Sequence, residues 1–163
     1  MGFVSRDLVR AKAPRRATIR CSLGDHLVRG LPVAVAFFYD RTLDADALAD
    51  ALSTVLGPFH PFNAVMHVRG GDLLIDCDDE GVAFSVFRRD CTMRQALDGL
   101  LEEGSQLVDL IDTKRDEQQP QPVLTVRVTH FVDAKTCVGV SWRHCVGDMQ
   151  ASARSGSVTS TSA

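Results

Sequence analysis

Long apolar runs are missing from this sequence. No stretch of about 18 consecutive apolar residues occurs, so no membrane-spanning helix is expected. The N-terminus also lacks the apolar centre of a secretory signal. Cysteine is sparse, and its five positions (Cys21, Cys77, Cys91, Cys137 and Cys145) make an odd number with no CxxC pair. That argues against a disulfide framework and against a zinc site, and it fits a reducing, cytoplasmic compartment. Positive charge is short too. With 18 Lys and Arg against 21 Asp and Glu, the formal net charge is -3, so nothing gathers a phosphate backbone and no nucleic-acid partner is expected. No internal repeat of solenoid length is present.

Several small clusters lack a part that metal or phosphate chemistry requires. Gly70-Gly71 is followed by no Gly-Lys-Ser/Thr, so it is a turn and not a phosphate loop. His60 and His67 are separated by six residues with no carboxylate between them, and they read as structural histidines. Asp76, Asp78, Asp79 and Glu80 lack the glycine-punctuated spacing and terminal glutamate of an EF-hand, and they read as a solvated turn. No metal is therefore expected.

What is present suits one domain. Hydrophobic residues make up 45% of the 163 and charged residues 24%, enough for a sizeable core. Residues 1–20 hold Arg6, Arg10, Lys12, Arg15, Arg16 and Arg20 and read as a solvated basic arm, with a transit-like leader as the alternative. Residues 21–150 form the domain. Residues 151–163, almost all Ser, Thr, Ala and Gly, are expected to be disordered.

Within the domain, Pro32–Tyr39 is a short apolar run that reads as a buried strand. Leu48, Ala51, Leu52, Val55 and Leu56 share one face of a helix that Asp44 caps and Gly57-Pro58 ends. Val65–Val68 and Asp72–Ile75 read as a hairpin around Gly70-Gly71, and Val82, Phe84 and Val86 alternate in a further strand. Thr92 to Gln95 has capping-box form and opens a helix carrying Ala96, Leu97, Leu100 and Leu101. The polar stretch Thr113–Pro122 reads as an exposed connection. Two strands follow, Val123–Val132 and Thr136–Trp142, and strict alternation would carry the Val138, Val140 and Trp142 face on to His144. This order is that of an α+β domain with a mixed sheet and flanking helices, not of regular βαβ alternation.

His144 and Asp148 are separated by three residues at the end of the last strand. Histidine suits general-base work near neutral pH, and a nearby aspartate can fix an imidazole or its loop. The surrounding sequence resembles the BAHD family of acyltransferases, whose motif is HxxxD. The strand pair Pro122–Phe131 and Cys137–Arg143 is similar to the one that precedes the family's catalytic histidine. Upstream, Phe37-Phe38-Tyr39, the helix 46–56, Gly57 to Phe62, and Asp76 to Phe84 are similar to family passages in the same order.

The resemblance implies the N-terminal half of a two-domain, chloramphenicol-acetyltransferase-like fold. It implies transfer of an acyl group from acyl-CoA, as co-substrate with no bound cofactor, to an alcohol or amine acceptor. His144 would be the general base, and Asp148 would hold the turn. Cys145 is not needed as a nucleophile. Met149 stands where the family usually has glycine, and the family's later DFGWG signature is absent. The chain is therefore expected to be a truncated form, inactive alone, that self-associates through an exposed interdomain face. A non-catalytic remnant or binding module is the alternative. A peptide-synthetase condensation domain is disfavoured, because Arg143 stands where those domains have a first histidine.

Overall fold

The computed structural model describes residues 2–99, 107–113 and 120–147. Elements follow in the order β1 (Gly2–Val9), β2 (Ala17–Arg20), α1 (Leu23–Val28), β3 (Pro32–Tyr39) and α2 (Ala45–Val55). A 3-10 turn at His60–Asn63 leads to β4 (Val65–Arg69), β5 (Asp72–Cys77), β6 (Val82–Arg89) and α3 (Met93–Asp98). The last are β7 (Gln121–Pro122), β8 (Leu124–Phe131) and β9 (Thr136–Arg143). Two sheets result, one of five strands in the order β1-β6-β8-β9-β3 and one of four in the order β2-β5-β4-β7.

The larger sheet is mixed. β6 and β8 run parallel, while β1–β6, β8–β9 and β3–β9 are antiparallel. A parallel pair needs a crossover, and α3 lies in the connection from β6 to β8. β8 is central and buried on both faces. Leu124, Val126 and Val128 share one face, as their alternation requires, but Thr125, Arg127 and Thr129 on the other are buried too.

The main core lies on the first of these faces. It joins Val82, Phe84, Val126 and Val128 to Met66, Leu73 and Ile75 of the smaller sheet, with Leu48 and Leu52 of α2 packed against them. The opposite face is closed by α3 and residues 107–113. A Cβ at Gly139 would collide with the Leu107 carbonyl oxygen, so the chain crosses the sheet where β9 has no side chain. There Asp109 accepts hydrogen bonds from Ser85 and from Arg127 Nη1, the latter at 3.1 Å, and the guanidinium carbon sits 3.7 Å from the centre of the Phe87 ring. Burial lowers the Arg127 pKa, and Asp109 opposes the shift.

Local chemistry explains the element ends. The Asp44 side chain accepts from Asp46 N and Ala47 N to cap α2, and Thr92 and Gln95 complete a capping box on α3. Gly70 and Gly71 both have positive φ, 61° and 90°, the conformation a two-residue hairpin turn demands. Leu100 and Leu101 of the expected second helix lie outside the described residues, as does the tail 151–163.

Three sequence expectations are corrected. β3 is an edge strand, not a buried one; Phe37 is 50% exposed, because among the described residues β3 pairs only with β9. The basic segment is not a free arm, since β1 pairs with β6 and β2 with β5, leaving its charges outward and its backbone bonded. Gln121–Pro122 is not loop but a short strand on β4.

Candidate active site

His144 follows directly after β9, where the strand gives way to a turn, so alternation does not carry it into the core. Its side chain is exposed. Its backbone is fastened: His144 N donates to Leu31 O at 3.2 Å, extending the β3–β9 pairing by one step. Val146 N donates to Arg143 O at 3.0 Å, and Trp142 Nε1 to Gly147 O at 2.8 Å. Gly147 is so close to Phe62 that an added Cβ would sit 3.1 Å from the ring. Cys145 turns inward, with Sγ 3.5 Å from Met66 Sδ. A rigid turn thus presents one free imidazole, and the side chains on either side of it are drawn into the protein.

Arg143 does much of this fastening. It is fully buried. Its Nε donates to Pro122 O at 3.2 Å, its Nη1 to Arg29 O at 3.3 Å, and its backbone N to Val123 O at 3.0 Å. One residue therefore joins β9 to β7, to the start of β8 and to the end of α1. Sequence reasoning treated Arg143 only as a missing histidine. Its contacts are to backbone carbonyls far away in the chain, which no local pattern marks.

α1 was also missed, although Ser22-x-x-Asp25 is a capping-box pattern and both of its reciprocal bonds form. His26 Nε2 accepts from Leu73 N at 3.3 Å and holds this six-residue helix to the smaller sheet. Arg29 and Leu31, which supply carbonyls to Arg143 and His144, lie just beyond it.

Burial first, then Cys145 and Asp25, push Cys21 up to about 11. Cys137 is likewise at about 11 through burial, and Cys77 is raised. An apolar hollow of about 240 Å³, framed by Leu52, Val55, Leu56, Phe59, Phe62 and Leu124, adjoins the turn through Phe62.

Asp148, the second expected site residue, lies outside the described residues, as does Met149. His60 and His67 do not gather with other ligands. His67 Nε2 is 3.2 Å from Asp76 Oδ2 without the alignment of a hydrogen bond. Among the described residues no group of three or more His, Cys, Asp or Glu is placed to hold a metal ion. The acidic turn is less solvated than expected, because Asp79 accepts from Ala11 N at 3.0 Å and from the Asn63 amide.

Comparison with known proteins follows the same line. A family profile described as "Transferase family" matches residues 3–154. A hydroxycinnamoyltransferase of Narcissus pseudonarcissus is 31% identical over 120 residues, covering 69% of this chain and 27% of that protein. Vinorine synthase of Rauvolfia serpentina is 26% identical over 164 residues, covering 91% of this chain and 38% of that protein. The crystal structure of vinorine synthase superposes with a TM-score of 0.69 at 24% identity, over 88% of this chain and 38% of that one. The chain therefore spans between about a quarter and two-fifths of the length of these relatives. No helix among the described residues is long and apolar enough to cross a membrane. With the family match running over nearly the whole chain, and with an α+β mixed-sheet fold shared with vinorine synthase, this chain belongs to the transferase family of BAHD-type acyltransferases.

Proposed function

We propose that this chain is the His144-bearing part of an acyltransferase that moves an acyl group from acyl-CoA to an alcohol or amine. The observation that carries the reading is the turn 144–147: its backbone is held at both ends while the His144 imidazole alone is left open. A general base requires that combination of fixed position and access. The imidazole takes the acceptor's proton as its oxygen or nitrogen attacks the thioester carbonyl. The tetrahedral intermediate then expels CoA as thiolate, which recovers the proton from the imidazolium. No covalent acyl-enzyme forms. Asp148 keeps the turn and the base in position.

A positioned base contributes roughly 10²–10⁴-fold, and the rest comes from holding donor and acceptor together. The chain covers 27% of one relative and 38% of another, so most of each relative lies outside the matched stretch. This stretch by itself is expected to give no turnover. The test is to incubate the purified chain with several acyl-CoAs and a panel of alcohols and amines, following thiol release beside His144→Ala. Equal background in both proteins is expected for the chain alone, and His144-dependent release once the remainder of a complete family member is fused after residue 150. Release from the fusion that survives His144→Ala would sink the general-base assignment.

A further inference from the structure

At the far end of β8 and β9 from His144 lies a second cavity, of about 470 Å³. It opens where the parallel strands β6 and β8 end, beneath the N-terminus of α2. Arg88 and His130 are direct cross-strand partners there and line it together. Two cation-forming side chains facing each other across neighbouring strands repel. Burial, followed by Arg88, accordingly holds the His130 imidazole below its ordinary value. Arg88 has no carboxylate partner among the described residues.

Asp44 and Asp90 also line the cavity, alongside Arg88 and Arg89. The Asp44 carboxylate keeps its charge but directs one oxygen to the cap of the 11-residue helix α2, accepting from Asp46 N at 2.9 Å and Ala47 N at 3.4 Å. Arg89 and Asp90, at the rim, are engaged in interactions of their own. Thr136 Oγ1 accepts from Leu43 N at 3.0 Å and lies 3.2 Å from His130 Nδ1. With that hydroxyl donating to Nδ1, the neutral ring carries its hydrogen on Nε2 and keeps it for another partner. Leu43, Ala45, Phe131 and Val132 supply apolar wall.

A negative group set between Arg88 and His130 accepts from the guanidinium and from the Nε2 hydrogen of the neutral ring. We infer that this cavity is a binding site for the oxyanion end of a small organic acid, a carboxylate or phosphate monoester, with its apolar body against Leu43 and Phe131. The site is independent of acyl transfer at His144.

The test uses histidine-edited NMR on the whole chain, with the His130 signal assigned through His130→Gln. Benzoate, phenyl phosphate, inorganic phosphate and, as an uncharged control, phenol are titrated in turn. The expected result is a saturable shift of His130 with at least one organic anion, no movement of His144, and no response to phenol. Arg88→Gln should weaken that binding by roughly tenfold or more, while Arg88→Lys, which keeps the charge, retains most of it. Absence of a saturable shift with both organic anions overturns the inference. So does equal affinity in wild type and Arg88→Gln, or saturation by inorganic phosphate alone.

Discussion

Residues with the most structural consequence here are those whose partners lie far away in sequence. Arg143 is buried and bonded to the carbonyls of Pro122 and Arg29. Replacing it with methionine keeps the volume but strands those carbonyls, and hydrogen bonds from a charged donor are worth roughly 1.5–3 kcal/mol each. Arg143→Met should therefore lower stability by about 3 kcal/mol in urea titrations. Gly139 shows the same principle through space, because its missing side chain is where Leu107 crosses. Gly139→Ala should cost about 3 kcal/mol, near the upper range for overpacking, and a change under about 0.5 kcal/mol would contradict the packing described. His130 gives a pH signature. Its pKa is lowered from 6.5 in the folded chain, so the unfolded chain takes up a proton first. The stability the neutral ring contributes is whole above 6.5 and is lost as pH falls through the lower folded value. Urea midpoints should fall over that window, and His130→Gln should flatten the slope. An unchanged slope in the variant would refute this.

Elements were legible where the signal is local. Helix α2 follows from apolar spacing plus the Asp44 cap, the β4–β5 hairpin from Gly70-Gly71, and α3 from Thr92 and Gln95. Thr92→Ala removes the side chain that caps Gln95 N and should cost about 1 kcal/mol, measurable as a shifted denaturation midpoint with unchanged slope. β3 was legible as a strand but not as an edge. An apolar octet reads the same whether a neighbour covers it or not, and its exposure depends on which strands lie beside it. The short β7 was hidden for a related reason: a Gln-Pro pair has no strand pattern, and only β4 makes it one.

At the scale of the molecule, the open apolar surface has a consequence. Phe37 on the β3 edge is 50% exposed, and Leu23 and Leu27 on α1 are 80% and 79% exposed. Open strand edges and contiguous apolar surface favour association. The chain alone should show concentration-dependent self-association in sedimentation velocity, reduced by a charged substitution such as Phe37→Lys. A monodisperse monomer that unfolds cooperatively would contradict this. The basic segment behaves in the opposite way to its sequence reading. Its charges remain solvated, yet its backbone closes one edge of each sheet, as β1 on β6 and β2 on β5.

The sequence by itself determined the family, the strands and helices with local punctuation, and the position of His144 at a strand end. Those signals are periodicities, caps, turns and an ordered set of short motifs, all carried by neighbouring residues. Tertiary structure alone decided what makes His144 accessible yet fixed: the Leu31 carbonyl on its backbone, the buried Arg143 beside it, and Cys145 drawn toward Met66. It also decided that Arg88 faces His130. Contacts of this kind join residues tens of positions apart, and the sheet register that creates them is set by how the whole core packs, not by any one segment.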